Sequence, residues 1–143
     1  MYLSPYLLAI AGAWLVAQGG KYIVYAIRTR SLKSFRQLYL SGNMPSAHSA
    51  STVALATVIG LRMGVGSALF AIATLFAAIV MYDAIMVRRS TGEQGAAIQA
   101  LIKEQKSKVK MPRAAKGHEP LEVAVGAILG VVIGFVVFFL SFS

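Results

Sequence analysis

Four long apolar runs, separated by two segments that hold most of the charge, dominate the pattern along the chain. An α-helix needs about 20 mostly apolar residues to cross a bilayer. The pattern therefore predicts four membrane spans, at residues 4–27, 46–62, 65–87 and 120–141. We expect an all-α integral membrane protein that forms a single domain over residues 1–143.

A shorter helix is predicted between the third and fourth spans. Residues 90–102 place Ala97, Ile98, Leu101 and Ile102 at helical spacing. We expect this segment to lie at the membrane surface. The predicted architecture is thus about four transmembrane helices plus one short interfacial helix.

The composition supports this class of protein. Hydrophobic residues make up 57% of the chain and charged residues only 13%, whereas soluble domains carry about a quarter charged residues. The chain contains no cysteine, which excludes disulfides, thiolate metal sites and a cysteine nucleophile. Because the apolar runs commit most of the chain to the bilayer, no nucleic-acid partner is expected.

The charge is strongly unbalanced, with 14 basic and 5 acidic residues and a net charge of +9. Most of the cations lie in residues 28–43 and 88–119. Four spans would place both segments on the same side of the membrane, and the positive-inside rule assigns that side to the cytoplasm. Both chain ends would then lie outside. Contact with anionic lipid headgroups is an alternative explanation for part of the basic charge in residues 88–119.

Each of the two histidines lies where a predicted span begins. His48 follows Pro45 and Ser46, and Ser46 is a candidate N-cap. His118 precedes Pro120, a residue that suits the first turn of a helix. Alone, either histidine is explained as an interfacial polar residue. Together, at two helix N-termini on one predicted side, they favour an anion site.

Several charged residues accompany the histidines. Glu122 lies one helical turn after His118 and can hold the tautomer of its imidazole. One histidine could then attack a substrate while the other donates a proton. Lys21 and Arg28 are seven residues apart and project from one helix face. Snorkelling to the interface is the structural alternative for Arg28.

Asp83 lies near the end of the third span, just before Arg88 and Arg89. An intramembrane carboxylate is a functional candidate, although an ion pair with Lys21 or Arg88 would also explain it. Cations, helix ends and imidazoles together form a cradle for an oxyanion, which is typical of phosphoryl transfer. A metal site is not expected, because carboxylates are few and the surplus of cations would repel a divalent ion.

Three motifs resemble those of the type-2 phosphatidic acid phosphatase superfamily, which also includes the vanadium haloperoxidases. The patterns of that superfamily are Lys-x6-Arg-Pro, Pro-Ser-Gly-His and Ser-Arg-x5-His-x3-Asp. The corresponding segments of this chain are Lys21-x6-Arg28, Pro45-Ser-Ala-His48 and His118-x3-Glu122. The chain is most similar to the divergent branch of small membrane proteins in that superfamily, from about Gln18 to Gly130.

The chain departs from the superfamily patterns at several positions. Thr29, Ala47 and Glu122 stand where the patterns have proline, glycine and aspartate. No Ser-Arg pair precedes His118, although Arg113 lies nearby.

The resemblance implies a metal-independent lipid phosphate phosphatase without a cofactor. His118 would attack phosphorus to form a phosphohistidine, His48 would protonate the leaving oxygen, and Glu122 would orient His118. The implied phosphate ligands are Lys21, Arg28 and Ser46, with Arg88 or Arg89 as the missing third arginine and Asp83 in a supporting role. The implied substrates are lipid phosphomonoesters such as phosphatidylglycerophosphate, phosphatidic acid or polyprenyl phosphates.

The superfamily core usually has six helices, so four spans would form a reduced version of it. Such a site would be open laterally to lipid or completed by a second subunit of a homo-oligomer. A different class of function also fits the charges: a non-catalytic membrane protein that binds anionic lipid headgroups or scaffolds a partner. That alternative needs the cations but not the histidines.

Overall fold

The structure, a computed structural model, describes residues 3–29, 44–112, 114 and 117–142, without the side chain of Arg28. The described residues form helices and contain no β-strand, which confirms the predicted all-α class. The helices are α1 (Pro5–Thr29), α2 (Ala47–Met63), α3 (Ala68–Tyr82), a π-helical turn (Asp83–Val87), α4 (Arg88–Glu104) and α5 (Pro120–Phe142).

Three described helical segments are long and apolar enough to cross a membrane: Pro5–Ile27, Ala68–Glu104 and Pro120–Phe142. Helix α2, with 17 residues, is shorter and occupies the place of the second predicted span. It packs against α1, α3 and α5 and so forms the centre of the bundle. Large apolar side chains such as Leu75 and Leu140 point outward, as expected where lipid is the solvent.

Helices α3 and α4 are continuous, whereas the sequence analysis treated them as a span and a separate surface helix. The π-helical turn joins them into one helical segment of 37 residues. Its length, about 55 Å at 1.5 Å per residue, exceeds the hydrocarbon thickness of about 30 Å. No proline interrupts the chain between Val87 and Ser90, so the polar α4 continues from the apolar α3.

The bundle core consists of small residues rather than large ones. Ala9, Ala13 and Ala17 of α1 are fully buried at intervals of four residues, so they share one helix face. Helix α5 presents glycines to α2 with the same spacing, and a Cβ added at Gly126 would lie 2.5 Å from the carbonyl oxygen of Ser46. Small residues allow backbones to approach closely, the main source of helix association inside a membrane.

The helix ends agree with the local sequence signals. Ser46 is the N-cap of α2, as predicted, and its side chain accepts a hydrogen bond from the Ser49 N–H. Helix α5 begins at Pro120, also as predicted. Helix α2 ends at Met63 and is capped by Gly64, whose φ of 83° suits a residue without a side chain. The starts of α2 and α5 lie side by side, because the Ser46 N–H donates to the Glu122 carbonyl.

The glycine contacts of α5 generate a stability prediction. A Cβ at Gly130 would overlap the backbone oxygen of Ala50 and lie 2.9 Å from Val53 Cβ. We expect Gly130→Ala to destabilise the bundle by about 1–3 kcal/mol through overpacking. Thermal unfolding of the detergent-solubilised protein should therefore show a lower midpoint than for the wild type.

Gly19→Ala is the matched control, because a Cβ at Gly19 meets no atom within 4 Å. Its midpoint should equal or slightly exceed that of the wild type, since alanine is the better helix former. Equal midpoints for the two variants would contradict close packing at Gly130.

Candidate active site

The small-residue faces of α1 and α2 continue into polar residues at one end of the bundle. Lys21 follows Ala17 by four residues in α1, and Ser46 precedes Ala50 by four residues at the start of α2. A spacing of four residues returns to the same helix face. The packing that joins the helices therefore also directs Lys21 and Ser46 inward, and both are buried.

The first turn of α5 and the segment just before it carry a proposed catalytic pair, in line with the glycine face of the helix. Glu122 precedes Gly126 by four residues, and His118 precedes Glu122 by another four. The His118 Nδ1 lies 2.8 Å from Oε2 of Glu122, and His118 is only 4% exposed. A carboxylate bound to Nδ1 selects the tautomer with its proton there, which leaves Nε2 with a free lone pair.

The Glu122 carboxylate is itself held in place. Its Oε2 also accepts a hydrogen bond from the backbone N–H of Glu119 at 3.2 Å. The Glu122 backbone carbonyl accepts a hydrogen bond from the Ser46 N–H at 3.0 Å. The side-chain carboxylate of Glu122 is thus held by the backbone at the start of α5, and its backbone carbonyl is held by the start of α2.

Ser46 has a buried neighbour that the sequence analysis missed. The hydroxyl of Ser49 donates to Ser46 Oγ at 2.9 Å, and both serines are fully buried. Buried hydroxyl groups normally have a hydrogen-bond partner, and these two hydroxyl groups are partners of each other. Ser49 lies one helical turn after the N-cap, within the polar start of the second apolar run. That polar start was the sequence feature from which a buried partner for Ser46 could have been predicted.

Lys21 is only 7% exposed, although it carries an ammonium group. The negative charge of Glu122 attracts this ammonium. A buried charge near a membrane is costly unless an opposite charge or an anion offsets it. Lys21 is therefore coupled electrostatically to the carboxylate that contacts His118.

The second histidine belongs to the same group of residues. His48 lies in the first turn of α2 and is exposed. Its imidazole lies within the electrostatic reach of Arg88, Lys21, Asp83 and His118. Two imidazoles and several charged groups are therefore gathered at one end of the bundle.

The arginines of the third helical segment have different partners. Arg88 Nε lies 2.5 Å from Oδ2 of Asp83, which is one of the two ion pairs considered for that carboxylate. Arg89 pairs with Glu93 at 3.2 Å on the exposed surface of α4. The side chain of Arg28 and all of Arg113 lie outside the described part of the chain.

The π-helical turn connects α3 directly to the proposed nucleophile. The Arg88 N–H bonds to Asp83 O, five residues earlier, so it does not use the Ala84 carbonyl four residues earlier. That carbonyl accepts the N–H of His118 at 3.1 Å. π-Helical turns occur frequently at functional sites, but the sequence analysis gave Ala84 no role because the turn has no simple sequence signature.

A cavity of about 410 Å³ adjoins His118. The residues that line it come from one face of α4 and from the segment before α5: Arg89, Gly92, Glu93, Ala96, Ala114, Gly117, His118 and Glu119. Within residues 3–29, 44–112, 114 and 117–142, no three His, Asp or Glu residues are grouped as metal ligands would be.

Comparisons with known proteins identify a family for this chain. The family model described as "Divergent PAP2 family" matches residues 3–133. The chain is 34% identical over 142 residues to the uncharacterized membrane protein YuiD of Bacillus subtilis (strain 168), with 89% of each protein covered. No solved structure matches the chain significantly.

The contact between Gly117 and the first turn of α4 generates a prediction about His118. A Cβ at Gly117 would overlap the backbone of Arg89, so Gly117→Ala should separate the two segments and expose the His118 ring. We expect carbethoxylation of His118 by diethyl pyrocarbonate to become about tenfold faster. Mass spectrometry of peptides measures the rate at each histidine.

The exposed His48 provides an internal reference, since its rate should stay nearly constant. Gly66→Ala is the control, because a Cβ there meets no atom within 4 Å. An unchanged rate at His118 in the Gly117→Ala variant would contradict a positioning role for this contact.

Proposed function

We propose that this chain, which belongs to the divergent PAP2 family, is a membrane-embedded lipid phosphate phosphatase. The proposal rests on the family and on the geometry of the site. It would hydrolyse a terminal phosphomonoester through a phosphohistidine. The observation that carries the proposal is the buried His118 ring, 2.8 Å from the Glu122 carboxylate. Such a pair is how enzymes hold an imidazole for nucleophilic attack.

The reaction has two steps. In the first, His118 Nε2 attacks phosphorus, the bond to the leaving oxygen breaks, and His48 donates a proton to that oxygen. In the second, water attacks the phosphohistidine, His48 accepts the proton of this water, and phosphate leaves His118. Glu122 stabilises the positive charge that the His118 ring carries in the intermediate.

Cations and backbone dipoles would bind the phosphoryl oxygens. Lys21 and Arg88 act electrostatically on His48, Ser46 is hydrogen-bonded to the Glu122 carbonyl, and Arg28 is two helical turns from Lys21 in α1. The N-termini of α2 and α5 add the positive ends of two helix dipoles. Charge neutralisation of this kind provides most of the catalysis in phosphoryl transfer, and it requires no metal ion here.

The site is proposed to face the cytoplasmic leaflet. Exposed lysines in the last turn of α4 and in the segment after it support this assignment: Lys103, Lys106, Lys108 and Lys110. They lie after the end of the apolar part of the third helical segment, on the same side as the start of α5. Positive charges of this density are typical of cytoplasmic loops and attract anionic lipids.

The first test measures phosphate release by the purified protein in mixed micelles with a chelator present. Phosphatidylglycerophosphate, phosphatidic acid and a polyprenyl phosphate serve as substrates. His118→Gln should abolish both release and the acid-labile phosphoenzyme. His48→Gln should slow release from lipids by about 10²–10⁴-fold, but much less from p-nitrophenyl phosphate, because its leaving group needs no proton.

Full activity of the His118→Gln variant would overturn the mechanism. The alternative function, binding of anionic headgroups without catalysis, is supported by the exposed lysines after α4. It predicts that a variant lacking both histidines binds anionic vesicles as well as the wild type and that neither protein releases phosphate.

A second prediction concerns the carboxylate that holds His118. Glu122→Gln keeps the shape of the side chain but removes the charge that stabilises the protonated ring. We expect kcat to fall by about 10²–10⁴-fold with a smaller change in KM. The measurement is steady-state phosphate release from the best lipid substrate.

Glu104→Gln is the matched control, because Glu104 is exposed at the end of α4, away from the histidines. It should retain wild-type kcat. Equal activity of Glu122→Gln and Glu104→Gln would show that the carboxylate has no catalytic importance.

A further inference from the structure

We propose that Asp83 is a positioning residue of the phosphate site. Its carboxylate binds the Nε edge of Arg88 and so orients the two terminal amino groups of this guanidinium for the phosphoryl oxygens. The inference rests on the proposed phosphatase function and specifies how one of its cations is held. Asp83 acts through Arg88 and does not itself touch the substrate.

The contact between the two side chains leaves most of the guanidinium available. Arg88 Nε donates to Oδ2 of Asp83 at 2.5 Å. Arginine has five N–H groups, and four of them belong to its two terminal amino groups. Within the part of the chain that the structure describes, these four N–H groups have no hydrogen-bond partner. They form the end of the planar fork that can bind two oxygens of a phosphate at once.

The π-helical turn brings these two side chains together. In an α-helix, side chains three or four residues apart are neighbours, whereas those five residues apart differ in direction by about 140°. Asp83 and Arg88 are five residues apart, and the Arg88 N–H donates to the Asp83 carbonyl. The wider turn thus aligns two side chains that a regular α-helix would separate.

The ion pair is also tied to both histidines. In the same turn, the Ala84 carbonyl accepts the N–H of His118 at 3.1 Å. Arg88 has a larger electrostatic effect on His48 than Lys21 has, and Asp83 acts on the same imidazole with the opposite sign. The pair therefore belongs to the group of charges around the histidines, where the proposed mechanism needs a cation for the phosphoryl oxygens.

A purely structural role explains the ion pair less well. The side chains of Arg88 and Asp83 are 50% and 36% exposed, and ion pairs with this exposure contribute little to stability. The backbone hydrogen bond across the turn already joins the two residues. An oriented guanidinium, by contrast, reduces the entropy cost of binding phosphate, because a long side chain need not be immobilised at that moment.

The test separates the hydrogen bond to Arg88 from the charge of the carboxylate. Asp83→Ala and Asp83→Asn remove the same negative charge, but only asparagine keeps an oxygen that can accept from Arg88 Nε. Coulombic repulsion alone predicts that both variants bind inorganic phosphate more tightly than the wild type. A positioning role predicts that the two variants differ. Isothermal titration calorimetry of the detergent-solubilised protein measures the affinity for phosphate.

We expect Asp83→Ala to bind phosphate about three- to tenfold more weakly than the wild type and Asp83→Asn to stay within about twofold of it. In an Arg88→Gln background, Asp83→Ala should cause no further weakening. Glu93→Ala is the matched control, because it breaks the neighbouring ion pair with Arg89, and it should bind phosphate as the wild type does. All single variants should keep the wild-type unfolding midpoint, since both ion pairs are exposed.

Three results would overturn the positioning role. They are tighter binding by Asp83→Ala, equal affinities of Asp83→Ala and Asp83→Asn, and an equal loss in Glu93→Ala. Absence of phosphate binding by the wild type would overturn it as well.

Steady-state phosphate release separates this inference from the phosphatase function. Where the wild type hydrolyses a lipid phosphate, Asp83→Ala should lower kcat by about 10- to 100-fold, and Asp83→Asn should lower it much less. Wild-type kcat in Asp83→Ala would overturn the positioning role and leave the phosphatase function intact. If the wild type binds phosphate but hydrolyses no ester, the expected order of phosphate affinities still supports the positioning role, whereas the phosphatase function fails.

Discussion

The close approach of α5 to α2 is the constraint on which the rest of the structure depends. Gly126 has no side chain, so the backbone of Ser46 lies against α5, and the Ser46 N–H donates to the Glu122 carbonyl at 3.0 Å. This bond fixes the first turn of α5 relative to the N-cap of α2. Because the His118 ring is bound to the carboxylate of the same Glu122, the helix packing also determines where the imidazole lies.

The same packing explains why the bundle buries several polar residues. Small residues at intervals of four allow α1, α2 and α5 to touch without large side chains between them. At the end of each small-residue face, the next position is occupied by Lys21, Ser46 or Glu122. The helices bury these groups because they share the faces that hold the bundle together. Mutual hydrogen bonds and opposite charges offset the cost of that burial.

Part of this arrangement could be predicted from the sequence. The apolar runs indicated the helices, and local capping signals indicated the Ser46 cap and the start of α5 at Pro120. Both kinds of signal act over only a few neighbouring residues. The continuity of α3 and α4 was missed, since the π-helical turn between them depends on contacts with the segment before α5. The role of Gly117 was missed for the same reason, because Gly117 lies against the Arg89 backbone, which is distant in sequence. Ser49 was missed although its partner, Ser46, is only three residues away.

The π-helical turn also bears on the missing Ser-Arg pair of the superfamily pattern. No arginine directly precedes the proposed nucleophile at the spacing of that pattern, yet the His118 N–H is bonded to the Ala84 carbonyl and Gly117 lies against Arg89. These contacts bring the start of α4 to the start of α5. Under the proposed mechanism, a cation is needed there to neutralise the phosphoryl oxygens. Both arginines pair with a carboxylate, Arg88 with Asp83 and Arg89 with Glu93. We propose Arg88 for this role, because it is the one that also acts electrostatically on His48.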